Sequence, residues 1–273
     1  MTPDEPARDF KAGGIHIRDW GGAGIPVLLA HGMAAHSYWW DSVVGHWLGH
    51  LRPAAFDFRG HGDSDRANGG VYTRQTWIDD VETARAALGW EKFLLCGHSM
   101  GARIVLQYAA QHPGRLIGVG ALDFLPEVKK DRSSRFARAR GRPQPVYPSA
   151  DRMAERFRLE PDGTLLPPQE LQALGRRGIT AVDGGFTWKF DWRALSVRLE
   201  PLWDQLPRMQ TPALILRGEQ STIMSREDVT RVAAALPRAR TAEVALAHHH
   251  VTLDNPKDTA RAVLDFLQWT SGQ

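Results

Sequence analysis

Apolar residues fall along the chain in short uninterrupted blocks, separated by stretches in which they return every three or four positions. Blocks at 26–30 (PVLLA), 53–58 (PAAFDF), 92–96 (KFLLC), 116–122 (LIGVGAL) and 212–216 (PALIL) have the length and makeup of buried strands. Residues 14–20 alternate as a further strand, and 241–246 supply a seventh. Helical spacing runs over about 38–48, 74–88, 100–112, 226–235 and 256–269. Strands alternating with helices predict an α/β fold, a mostly parallel sheet covered on both faces.

The alternation breaks once, between Asp123 and Thr211. That stretch is rich in Arg and Pro and shows only short helical patterns, near 150–158 and 168–176. A structureless loop of such length is uncommon in a compact domain, so an inserted helical cap over one edge of the sheet is expected. The division that follows is a core of residues 1–124 and 206–273 with a cap at 125–205.

Composition narrows the partners. Hydrophobic residues make up 42% of the 273, enough for one large core. The pI is about 9.2, yet the formal net charge is only +3 because bases and acids are interleaved. A nucleic-acid binder concentrates its basic residues on one element, so a nucleic-acid partner is not expected. No run approaches the ~20 apolar residues of a membrane span, and residues 1–11 carry acids and no apolar run, unlike a signal peptide. The single cysteine, Cys96, lies inside an apolar block and reads as core. One cysteine allows no internal disulfide and suits a reducing, cytoplasmic compartment. A homo-oligomer is left open.

The block at 92–96 ends in Gly97-His98-Ser99-Met100-Gly101 and passes at once into a helical pattern. A tight strand-to-helix turn strains its central residue and needs small neighbours so that strand and helix can approach. The pattern G-x-S-x-G in this context is a nucleophile elbow, with Ser99 presented at the carboxyl edge of the sheet. A serine hydroxyl needs a base, and an oxyanion hole needs two backbone N–H groups aimed at one point. Met100, opening the helix whose dipole favours negative charge, offers one of them.

His31-Gly32, DFRGHGDSD at 57–65, GHSMG at 97–101, LDFLP at 122–126, PALILRGE at 212–219 and HHHVTLDNP at 248–256 follow one another in an order that resembles the α/β-hydrolase fold. The resemblance spans most of the chain and is nearest to esterases with a helical cap. It implies His249 as the base, seven residues before Pro256, with His248 and His250 as flanking residues. It also implies Met33, after His-Gly, as the second oxyanion donor, and His31 as a turn residue. Asp57, Arg59, His61 and Ser64 are implied to brace the neighbouring loop rather than react.

One departure stands out. The family commonly keeps its acid at a position filled here by Ser221, which cannot pair with an imidazolium. Two replacements are open. Asp123 ends the apolar block at 116–122 on the same sheet edge as Ser99, where some α/β-hydrolases hold the acid. Glu219 is nearer the usual place but two residues early. Asp123 is the expected acid.

A serine rather than an aspartate at the elbow argues against epoxide hydrolase or dehalogenase chemistry. The sequence holds no HExxH, Cys/His cluster or glycine-rich phosphate loop, so neither metal nor cofactor is expected. The reading is a serine hydrolase for a small carboxylic ester, thioester or lactone. The alternatives are a C–C bond hydrolase of a meta-cleavage diketone and an inactive α/β-hydrolase-fold binding protein. Residues 125–205 hold 15 Lys and Arg against 11 Asp and Glu, with the densest basic stretch at 132–142. This suits either an anionic small-molecule substrate or a solvated lid surface. Trp188 and Phe190, in an alternating aromatic stretch, and Trp39 or Trp40, after the oxyanion loop, are the expected substrate contacts.

Overall fold

The structure, a computed structural model, describes residues 5–127 and 135–272. Residues 1–4, within the stretch read above as lacking a signal peptide, and 132–134 of the basic stretch lie outside the described residues. The strands are β1 (Arg8–Ala12), β2 (Ile15–Asp19), β3 (Ile25–Ala30), β4 (Leu51–Phe56), β5 (Phe93–His98), β6 (Leu116–Leu122), β7 (Ile179–Val182), β8 (Gly185–Trp188), β9 (Ala213–Gly218) and β10 (Ala239–Val244). The helices are α1 (Asp41–Gly45), α2 (Arg74–Leu88), α3 (Met100–Gln111), α4 (Arg135–Ala139), α5 (Ala150–Glu155), α6 (Pro168–Arg177), α7 (Arg226–Ala235), α8 (Val251–Asp254) and α9 (Pro256–Ser271).

Eight strands form one sheet in the order β1-β2-β4-β3-β5-β6-β9-β10. From β4 to β10 all neighbours are parallel, and β2 is antiparallel to both β4 and β1. The fold is an α/β-hydrolase sheet with helices on both faces. Successive strand residues face opposite sides. Leu28 and Ala30 of β3 pack with Trp77, Val81 and Ile104 of α2 and α3, while Val27 and Leu29 pack with Val43 of α1, Trp47 just beyond it and Phe266 of α9. Strands buried on both faces carry no polar alternation, which is why they appear as solid apolar blocks. Cys96 packs inside one of these layers, and burial pushes its thiol up to about 12.

Helix ends follow local chemistry. Thr73 and Thr76 form a reciprocal capping box at α2, and Ser225 with Asp228 does the same at α7. The helix expected over 38–48 is shorter: a 3-10 turn, Ser37–Trp40, leads into α1, which ends at Gly45. The His46 and Trp47 amides bond to the Val43 and Val44 carbonyls, three residues back, and this tightening closes the helix. Strand β10, Ala239–Val244, lies two residues earlier than the expected 241–246, because it is an edge strand whose limits burial does not fix.

The segment between β6 and β9 carries α4, α5 and α6, but also the antiparallel hairpin β7–β8. No strand was expected there. The hairpin is half-exposed, so its residues need no apolar run. Polar ties hold the segment to the core. Lys189 pairs with Asp63 at 2.7 Å, the Asp191 amide donates to the Gly60 carbonyl at 2.8 Å, and the Tyr72 hydroxyl donates to Asp191 at 2.8 Å. A small apolar cluster of Ala35, Trp39, Leu159 and Leu253 joins the two parts. Among the described residues, no helix is long and apolar enough to cross a membrane.

Candidate active site

Ser99 follows β5 and precedes α3 with φ 56° and ψ −116°. This left-handed conformation strains a non-glycine residue, and close packing on either side enforces it. A methyl group at Gly97 would lie 2.5 Å from the Gly101 carbonyl, and one at Gly101 would lie 2.5 Å from the carbonyl oxygens of Ala30 and His31. Only glycine lets strand, turn and helix approach so closely. The ladder continues past the strand ends: the Ser99 amide donates to the Leu122 carbonyl at 2.9 Å, and the Asp123 amide to the Leu216 carbonyl at 2.7 Å. Ser99 and Asp123 therefore leave the same edge of the sheet on adjacent strands.

Between them stands His249. Its Nε2 lies 3.0 Å from Ser99 Oγ and its Nδ1 lies 2.7 Å from Asp123 Oδ1. Asp123 is fully buried. Burial pushes its carboxyl up to about 7, opposed by the Gly218 amide, which donates to Oδ2 at 2.8 Å, and the Ser221 hydroxyl, which donates to Oδ1 at 2.7 Å. Ser221, at the position where the family commonly keeps its acid, thus hydrogen-bonds the carboxylate expected to take that acid's place. Its oxygen also accepts from the Ile223 and Met224 amides, at 3.1 and 3.2 Å. The Glu219 carboxylate is elsewhere: it accepts the Leu246 amide at 2.8 Å on an exposed turn.

The neighbouring histidines have other partners. His98 donates from Nε2 to the His249 carbonyl at 2.8 Å, so its tautomer is fixed by an acceptor that cannot donate. Burial, reinforced by the nearby His249 ring, holds the His98 imidazole down at about 3. His250 donates to the Pro161 carbonyl at 3.0 Å, and burial holds it well below its ordinary range. The His248 amide donates to Asp254 at 2.8 Å, and Asp254 in turn accepts from Thr164 and the Leu165 amide at 2.6 and 2.7 Å. Asp254 thereby ties the His249 loop to the segment over the sheet.

His98, His249 and His250 bring one ligand atom each within 4.8 Å of one another, as do His16, Asp57 and Asp63. In the first group a cation would compete with the Ser99–His249 hydrogen bond. In the second, Asp57 already accepts His16 Nδ1 at 2.7 Å and the Ser37 and Asp63 amides at 2.6 and 2.9 Å. Burial alone would raise the Asp57 carboxyl, but His16, His31 and the Asp63 amide hold it well below the usual range. The His31 ring accepts the Phe58 amide at 3.0 Å and donates to the Gly32 carbonyl at 2.7 Å, as a turn residue should.

A cavity of about 590 Å³ opens over Ser99 and His249, within the usual range for small-molecule sites. Met33 lines it, and a methyl group at Gly32 would sit 3.2 Å from Ser99 Cβ, so the Met33 loop runs beside the serine. Met100 opens α3, where the first amides have no acceptor within the helix. Trp39, Trp188 and Phe190 line the cavity. Trp40 does not: its side chain turns into the core beside Val43, Val44 and Trp47, where it is almost wholly buried. Of the two neighbouring tryptophans, Trp39 is the one that faces the space above Ser99.

The model of the alpha/beta hydrolase fold family matches residues 25–256. The chain belongs to that family. It is similar to a serine hydrolase-like protein of Danio rerio, 27% identical over 91% of this chain and 83% of the relative. It is also similar to an esterase of Mycobacterium tuberculosis, 23% identical over 93% and 88% of the two chains. The crystal structure of E-2-(acetamidomethylene)succinate hydrolase shares the fold with a TM-score of 0.79, at 23% identity over 93% of this chain and 95% of the other.

Three residues of this α/β-hydrolase site escaped the sequence reading. His98 precedes the serine as an unconstrained letter of the motif. Ser221 looked like a gap rather than a partner. Asp254, six residues past His248, carried a signal only in its position before the last helix.

Proposed function

We propose that the protein is a serine hydrolase that cleaves a small carboxylic ester, thioester or lactone through an acyl-enzyme. The observation that carries this reading is the unbroken line from Ser99 Oγ through His249 to Asp123, at 3.0 and 2.7 Å. Ser99 attacks the carbonyl carbon as its proton passes to His249 Nε2. Asp123 holds Nδ1–H and pairs with the imidazolium that forms. The Met33 and Met100 amides take the negative charge on the carbonyl oxygen. His249 gives its proton to the departing alkoxide or thiolate, then takes one from the water that attacks the acyl-enzyme, and returns it to Ser99 Oγ as the acid leaves. Every proton is moved by Ser99, His249 or water, so these steps call for no metal or cofactor.

Residues 125–205 serve in this reading as the lid that selects the substrate, through Trp188 and Phe190, with Trp39 on the opposite wall. The names of the relatives, serine hydrolase-like protein and esterase, agree with it. The test is labelling by a fluorophosphonate together with turnover of p-nitrophenyl esters. Wild type should label and turn over, while Ser99→Ala should lose labelling and at least about 10⁴-fold in kcat, leaving only the contribution of binding and the oxyanion hole. A wild type that neither labels nor turns over any ester would instead make the fold a binding module.

A further inference from the structure

The cavity wall carries more positive charge than its own carboxylates neutralise. Its lining includes Arg135, Arg152, Arg156, Arg158 and Lys189 against the single carboxylate of Glu160. Three of the five cations are already committed. Arg135 binds Glu160 and Asp162 at 2.7 and 2.8 Å, Lys189 binds Asp63 at 2.7 Å, and Arg158 donates to the Glu155 and Phe157 carbonyls at 3.0 and 2.7 Å. The remaining two differ. The side chains of Arg152 and Arg156 make no hydrogen bond or ion pair with the described residues, and both are exposed. They stand four apart on α5 and its C-terminal cap, a spacing that puts them on one side of the helix. Between and beside them the wall is apolar, with Met153, Phe157 and Leu159.

Two guanidinium groups without acid partners, set on the rim of an apolar concavity, focus a positive field into it. Each offers a planar fork of donors suited to an oxyanion. A solvated surface arginine needs no such placement, and the acids nearest in sequence form no ion pair with the two: Asp151 is taken by Arg176 at 2.7 Å and Glu160 by Arg135 at 2.7 Å, while the exposed Glu155, beside Arg156, pairs with neither among the described residues.

We propose that the substrate carries an anionic group at the end remote from the scissile carbonyl, and that Arg152 and Arg156 bind it. The inference rests on the Ser99 hydrolase reading and names the substrate class within it. The matching compounds are half-esters of dicarboxylic acids and their close analogues. Their apolar middle fits the wall and their free carboxylate meets the pair.

The test compares monoethyl adipate with ethyl hexanoate, similar in length and differing in the terminal charge. The wild type should favour the half-ester by about tenfold or more in kcat/KM, chiefly through KM, as charge-assisted hydrogen bonds at a partly exposed site permit. The preference should shrink as NaCl rises to about 0.5 M, where the Debye length is only a few ångströms. In the double variant Arg152→Gln/Arg156→Gln the ratio between the two esters should fall to about one. That ratio, taken within one variant, cancels any general loss of activity. A wild type that turns over ethyl hexanoate at least as well as the half-ester overturns the inference and leaves the hydrolase reading standing. So does a ratio the double variant does not change. A wild type that cleaves neither ester nor any other overturns the hydrolase reading, and the inference with it.

Discussion

The exchange Asp123→Asn isolates the charge at the centre of the site. Asp123 accepts three hydrogen bonds, from His249 Nδ1, the Ser221 hydroxyl and the Gly218 amide. An asparagine has one acceptor oxygen. If that oxygen faces His249 and Ser221, its NH₂ group meets the Gly218 N–H, donor against donor. If it turns over, the NH₂ group meets His249 Nδ1 and forces the other tautomer, whose Nε2–H points at Ser99 Oγ and cannot take its proton. Either way no negative charge remains to pair with the imidazolium. The same amide exchange in a serine protease triad costs about 10⁴-fold in kcat, which corresponds to about 5 kcal/mol of transition-state stabilisation. The fold should survive. Asp123 has φ 41°, in the left-handed region where asparagine is well tolerated.

The linkage has a definite sign. Burial raises the folded-state carboxyl from 3.8 to about 7, so the folded form binds the proton more tightly than the unfolded chain. The stability this gives is present below about 4 and lost as pH rises through about 7. The amide never ionises, so the variant is spared that loss at pH 8. The assay is kcat on one good p-nitrophenyl ester, with thermal unfolding followed by circular dichroism. Glu219→Gln is the comparison, because that carboxylate only meets an exposed backbone amide, and it should cost less than about threefold. An Asp123→Asn enzyme that keeps more than a tenth of wild-type kcat, or a Glu219→Gln enzyme that is the more damaged, refutes the assignment of the acid.

Activity should fall as pH drops through about 7, since the reaction needs Asp123 ionised and His249 neutral, and Ser221→Ala should move that limb upward by removing a hydrogen bond to the anion; a limb that stays in place in the variant counts against the role of the contact. Gly101→Ala should lower stability by about 1–3 kcal/mol through overpacking against the Ala30 and His31 carbonyls, read from the urea midpoint, and an unchanged midpoint would contradict the close approach. Trp188→Ala and Phe190→Ala should reorder a panel of esters by acyl length more than they slow any one of them, and equal loss across the panel in a folded variant would remove them from substrate selection.

The parallel strands were legible because they are buried on both faces, and the elbow was legible because its glycines are required by contact distance. Chain order brought Ser99, His249 and Asp123 together on one sheet edge, and the structure puts them in a single hydrogen-bonded line. The elements that went unread are those with little burial. Strand β1 lies at the sheet edge with mostly exposed residues, and the β7–β8 hairpin is half in water. Trp39 and Trp40 were inseparable in sequence because adjacent residues of a 3-10 turn face different ways, and only the register of that turn decides which one meets the cavity. His98 bonds to the His249 carbonyl 151 residues away and Ser221 to Asp123 98 residues away, and no local pattern records such pairings.

The contact between Ser221 and Asp123 also bears on descent. Strands β6 and β9 are parallel neighbours, so Asp123, directly beyond β6, and Ser221, three residues beyond β9, meet in one hydrogen bond beside His249. A carboxylate could be delivered to that space from either strand, with a hydroxyl on the other placed to hydrogen-bond it. An ancestor carrying acids at both places would share one proton between them, since two carboxylates this close do not both ionise, and it would keep one charge for the histidine throughout. The acid can then change strands without a generation lacking it. A search keyed to one chain position would therefore miss a carboxylate supplied from the neighbouring strand.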